Sequence, residues 1–152
     1  MFSTDLLAAF PVAFPIFFVA MWLTVTTVLS TVSGWRILAA KFPNRPDATV
    51  LATFWFCSGV MGAGVNYGGC LTIQPCQEGL RVSVWKLFAP FDRPILAPWS
   101  EVRPERRRRF IVDRVVLRFG AVEAGHLEIS PSLAERIADA AGARWTGSIS
   151  LR

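Results

Sequence analysis

The chain has 152 residues, 53% of them hydrophobic, and its 16 Lys and Arg outweigh 11 Asp and Glu to give a net charge of +5. That length fits one domain plus a small extra element. Three cysteines with no C-x-x-C spacing and a single histidine supply neither a disulfide framework nor a zinc ligand set, so no metal and no cofactor is expected. The basic balance comes without any nucleic-acid-binding motif, so nucleic acid is not expected as a partner.

Residues 6–32 contain no charged side chain and are crowded with Phe, Val, Leu and Ala. A spanning helix needs about 20 apolar residues, so this run predicts a single transmembrane anchor over residues 1–33. It does not read as a cleaved signal, because no Lys or Arg precedes it and the run is too long. Pro11 and Pro15 fall near its start, where a missing N–H costs least. Thr24, Thr26, Thr27, Ser30 and Thr31 can return hydroxyl hydrogen bonds to the helix itself. All Lys and Arg follow the run, the first being Arg36, and only Asp5 carries side-chain charge before it. By the positive-inside rule the N-terminus is expected outside and the rest of the chain in the cytoplasm.

Residues 34–47 form a juxtamembrane helix and linker. Trp35, Leu38, Ala39 and Phe42 fall at i, i+3, i+4 and i+7, one face of a helix. Two readings stay open. The segment lies on the inner leaflet with Trp35 in an aromatic belt, or it continues the anchor and packs on the domain. Pro43 and Pro46 then end it.

Residues 48–145 are expected to form a β domain closed by one helix, followed by a loose tail over residues 146–152. Residues 48–77 are uncharged, and a second membrane helix is the alternative there. Gly59, Gly62 and Gly64, with the aromatic run 53–58, favour one or two buried strands with a bend or bulge. Further strands are read at 67–73, 80–85, 95–102, 106–112, 115–119 and 126–129, with a loop at 89–94 and a turn at Asp113 and Arg114. Ser132 and Glu135 have capping-box spacing, Leu133, Ile137 and Ala141 share a helical face, and Gly142 ends the helix.

Six or seven short strands and a terminal helix predict an α+β fold, a curved antiparallel sheet or barrel behind a transmembrane helix. The strings YGGCLTI at 67–73, EGLRVS at 78–83 and PILAPWSEV at 94–102 carry a resemblance to bacterial pleckstrin-homology-like (PH-like) proteins. The match covers residues 67–102, with Ala97 where a branched residue usually precedes Pro98. The resemblance implies a membrane-anchored PH-like domain, and its motifs are structural.

Several residues invite a functional reading. Arg106, Arg107, Arg108 and Arg109 can meet lipid phosphates, as can Arg36 and Lys41. Successive strand side chains point to opposite faces, so the four arginines cannot all meet one ligand. Trp85, Leu87 and Phe88 form a candidate interaction patch facing a partner or the membrane, the alternative being that Trp85 packs under the 89–94 loop. His126 is placed on an outer face without a nucleophile and carboxylate beside it. Glu101 and Glu105 show no paired-carboxylate pattern. Residues 62–69 are glycine-rich but lack the Lys-Ser or Lys-Thr of a phosphate loop. No catalytic constellation is identifiable. The expected function is therefore a non-enzymatic interaction or scaffolding module at a bacterial inner membrane, with a membrane protein as its partner. Recognition of anionic lipid through the basic residues is the alternative, and a two-helix component of a membrane enzyme or transporter is the second.

Overall fold

A computed structural model of the chain describes residues 4–120 and 124–145. The tail expected over residues 146–152 lies outside the described residues.

Helix α1 runs over Thr4–Val32. Its segment Leu7–Val32 has mean hydropathy 2.1 and is long and apolar enough to cross a membrane, and of its residues Thr26 and Ser30, near the C-terminal end, are buried. Both prolines are accommodated inside the helix. The hydroxyls of Thr24, Thr27 and Thr31 donate to carbonyls four residues back, which satisfies them without any external partner.

The chain turns at Gly34, whose φ of 77° suits glycine, into the short helix α2 over Trp35–Lys41. Of the two readings open for this segment, packing on the domain is the one observed. Trp35, Leu38 and Phe42 all join the main hydrophobic core. Trp35 does not sit in an aromatic belt. It is 1% exposed, its indole N–H donates to the Arg93 carbonyl at 2.8 Å, and its ring meets Tyr67 at 6.0 Å. The apolar face of α2 thus gains burial against the sheet, and the indole keeps its hydrogen bond.

Seven antiparallel strands follow: β1 Phe54–Met61, β2 Val65–Pro75, β3 Gly79–Val84, β4 Ile95–Pro98, β5 Val102–Arg109, β6 Val112–Phe119 and β7 Gly125–Ile129. They form one curled sheet in the order β4-β3-β2-β1-β7-β6-β5. Residues 48–77 therefore supply a hairpin, not a second membrane helix. Gly62 makes that hairpin possible. Its φ is +57°, and a Cβ there would lie 2.6 Å from the Ser33 carbonyl oxygen. The concave face buries Leu71, Ile73, Leu80, Val82, Leu117, Phe119, Leu127 and Ile129, and helix α3 (Pro131–Ala141) closes it with Leu133, Ile137 and Ala141.

Three boundaries differ from the expected ones. The strand expected over 95–102 breaks after Pro98 into a 3₁₀ turn at Trp99–Glu101 before β5 begins. Proline cannot extend the ladder, and Trp99 swings inward to donate to the Cys76 carbonyl at 2.9 Å. The β5–β6 turn lies at Phe110 and Ile111, with Arg109 opposite Val112, not at Asp113 and Arg114. That register places Asp113 within reach of two β5 guanidiniums, 3.3 Å from Arg106 and 4.0 Å from Arg108. Helix α3 is capped by Ser130, which accepts from the Leu133 N–H at 3.4 Å, with Pro131 in the first turn. Ser132 is not the cap. Trp145 packs back into the core, donating to the Val102 carbonyl at 3.0 Å.

Candidate functional site

Two neighbouring surfaces combine exposed aromatics with polar groups. The first is built by an irregularity in β1. Between the pairs Phe54–Ile73 and Cys57–Leu71, β1 advances one residue more than β2. Such a bulge re-aims side chains and locally bends the strand. Phe56 takes the left-handed conformation, φ 55°, which is costly for a bulky residue. The result is that Trp55 and Phe56, consecutive in sequence, are 61% and 66% exposed. A regular half-buried strand would have turned one of them inward. Beside them is a cleft of about 260 Å³ lined also by Ser58, Arg114, Ser130, Ser132 and Arg136. Arg136 is held there over the Phe54 ring at 4.6 Å. The cleft therefore offers aromatic faces, hydroxyls and two guanidiniums.

The second surface is the loop over residues 85–93, which joins β3 to β4. Backbone bonds from Phe88 and Ala89 to the Trp85 carbonyl, and from Asp92 to the Ala89 carbonyl, fold it tightly. Leu87, Phe88 and Phe91 are exposed at 68%, 51% and 64%. Trp85 is half-buried and packs against Phe56 at 4.8 Å, which links the two surfaces. Its indole N–H is buried with no hydrogen-bond partner among the described residues.

Asp92 points the other way, into the junction with α1. One carboxylate oxygen accepts from the Ser30 hydroxyl, and the other, Oδ2, is buried with no hydrogen-bond partner among the described residues. Burial pushes the Asp92 carboxyl above its ordinary pKa, while the Ser30 hydrogen bond and the charges of Lys86 and Arg36 pull against that rise. Lys86 Nζ donates to the Asp92 backbone carbonyl at 2.7 Å. A cleft of about 270 Å³ opens beside it, lined by Trp35, Arg36, Ala39, Phe91, Asp92 and Arg93.

Of the residues singled out in sequence, Trp85, Leu87 and Phe88 share this loop, and Arg36 borders it. Lys41 is exposed at the end of α2 with its ammonium 5.7 Å from the Phe42 ring. Arg106, Arg107 and Arg108 lie on β5, the sheet edge. They are engaged with carboxylates: Arg106 and Arg108 with Asp113, and Arg107 with Glu128 at 4.0 Å. The side chain of Arg109 lies outside the described portion. His126 is half-buried on β7, opposite Arg118 on β6. Cys57, Cys70 and Cys76 are buried free thiols, and burial raises the pKa of each.

Trp55, Phe56, Phe91 and Asp92 were not legible as site residues. The run Phe54-Trp55-Phe56 carried the one available signal, since alternation cannot bury three successive rings on a single face. No family model, no curated protein and no solved structure matches this chain.

Proposed function

We propose that this chain is a single-pass bacterial inner-membrane protein, N-terminus outside, whose cytoplasmic PH-like domain is a non-enzymatic interaction module. The β1 bulge carries this reading. It holds Phe56 in a costly backbone conformation and thereby presents two large rings to solvent beside Arg114 and Arg136. Rigid aromatics with adjacent arginines are the residue types that dominate binding energy in protein interfaces. The occupant is a partner segment with apolar and acidic side chains. Tethering on the membrane raises the effective concentration of such a partner if it too is membrane-bound.

Recognition of lipid by the arginine run is the weaker reading. Asp113 and Glu128 already offset part of the charge that Arg106, Arg107 and Arg108 present.

A photocrosslinking amino acid placed at Phe56 in the full-length, membrane-inserted protein tests the interaction reading. A discrete protein adduct at position 56, absent from the same probe at Asp139 on α3, is expected. No adduct above background at position 56 overturns it. A reporter fused to the C-terminus tests the topology: activity of a cytoplasm-restricted reporter is expected, and activity of a periplasm-restricted one refutes the orientation.

A further inference from the structure

The 85–93 loop has an uneven distribution of side chains. Its one acid, Asp92, is turned inward to Ser30, leaving Leu87, Phe88, Phe91 and Arg93 on the outside, together with Lys86, which is exposed and donates one N–H to the Asp92 carbonyl. The outward face is therefore apolar at its centre and cationic at its margins, and Arg36 adds a third cation from α2. That is the pattern of a surface lying at an anionic lipid boundary, with rings in the acyl margin and cations at the phosphates.

The level of the loop matches that chemistry. It packs beside Thr26, Thr27 and Ser30 of α1, in a narrow crevice shared with Ala89, Pro90 and Phe91. The apolar segment of α1 has 26 residues. At about 1.5 Å per residue that is roughly 39 Å, about 9 Å more than a hydrocarbon core of about 30 Å. Placed at the domain end, where Ser30 holds the Asp92 carboxylate, that surplus of about six residues is Thr27–Val32. The loop thus touches the helix where it leaves the hydrocarbon, which is the depth of the headgroups.

We propose that the 85–93 loop is a second membrane contact. Leu87, Phe88 and Phe91 enter the inner leaflet beside the anchor, while Lys86, Arg93 and Arg36 meet phosphates of anionic lipid. The contact rests on α1 crossing the bilayer, and it assigns lipid binding to this loop in place of the β5 arginines. Because Ser30 and Trp35 hold the loop at Asp92 and Arg93, the contact is pre-organised and costs little ordering entropy.

The full-length protein, carrying an environment-sensitive fluorescent amino acid at one position at a time, is reconstituted into vesicles of phosphatidylethanolamine and phosphatidylglycerol. Position 88 reports on the loop, position 19 on α1, and position 135 on the exposed face of α3. The probe at 88 is expected to lose most of its emission with lipids bearing a shallow nitroxide, and the probe at 19 with lipids bearing a deep one, while the probe at 135 keeps its own with both. With iodide in the water, only the probe at 135 is expected to be quenched. A probe at 88 that behaves like the one at 135, with 19 still quenched from the lipid, overturns the loop contact and leaves the anchor standing. A probe at 19 open to iodide overturns the anchor and the contact together. Omitting phosphatidylglycerol is expected to reduce the lipid quenching at 88. Equal quenching without it overturns the assignment of Lys86, Arg93 and Arg36 to anionic phosphates.

Discussion

Replacing Trp35 by Ala separates two physical states of α2. In the fold described, Trp35 is 1% exposed and its N–H donates to the Arg93 carbonyl. Truncating a buried Trp to Ala costs about 3–5 kcal/mol through lost burial and the cavity left behind. The orphaned Arg93 carbonyl adds to that, at about 1 kcal/mol. A domain of this kind has about 5–15 kcal/mol in total, so most of the margin is at stake. With a urea slope of about 2 kcal/mol per molar, a loss of about 4 kcal/mol lowers the midpoint by roughly 2 M. The assay is urea unfolding of the full-length protein in detergent micelles, followed by near-UV circular dichroism. Trp35→Phe retains most of the ring burial and is expected to lose about 1–2 kcal/mol, chiefly the hydrogen bond. If Trp35→Ala shifts the midpoint by less than about 0.3 M, equivalent to about 0.6 kcal/mol, the indole is not in the core. The docking of α2 is then refuted.

Phe56→Gly relieves a left-handed backbone strain but also removes the ring that packs on Trp85, so stability is expected to change by less than about 1 kcal/mol while partner capture is lost. A loss of more than about 2 kcal/mol contradicts the bulge geometry. Asp92→Asn bears on pH. The folded pKa of Asp92 lies above its unfolded value, so the native state binds the extra proton. Stability therefore falls as pH rises from the ordinary carboxylate range through that raised pKa, and the cost stays in full above it. The Asp92→Asn variant is expected to flatten that slope and to be neutral or stabilising at pH 7, read from urea midpoints between pH 4 and 8. A difference between the wild-type and variant slopes that is absent or of opposite sign refutes the placement. Cys57, Cys70 and Cys76 are buried with raised pKa values, so alkylation of the native protein by iodoacetamide, counted by mass spectrometry, is expected only at the rate of unfolding. Fast labelling of any of the three contradicts its burial.

The long apolar helix and the order of elements were legible because their signals are long or repetitive. An uncharged run of 27 residues from Leu6 to Val32 has no soluble competitor unless it is buried, and alternation at Leu80, Val82 and Val84 points one face inward as it should. Strand ends were less legible. The β5–β6 turn depends on which register pairs Asp113 with Arg106 and Arg108, a choice made between two strands and invisible in either alone. The same holds for Trp35. Helical spacing marks its face, but whether lipid or the sheet covers that face depends on Arg93, 58 residues away. Phe56 and Asp92 were harder still. A bulge adds a residue against a partner strand, and the burial of Asp92 depends on a hydroxyl contributed by α1. These are long-range facts, and local periodicity marks them only at the three successive rings of residues 54–56.

Contacts at Ser30 and Ser33 hold the end of α1 against the sheet. Ser33 is wedged over Gly62 and receives a hydrogen bond from the Tyr67 hydroxyl at 3.0 Å, and Asp92 grips Ser30 one turn earlier. Helix and sheet consequently turn as one lever. Were α1 to cross a bilayer thinner than the helix is long, the helix would lean, and the Trp55 and Phe56 rings would turn through the same angle. Membrane thickness, a property of the lipid alone, would in this way set the direction in which the domain offers its aromatic face.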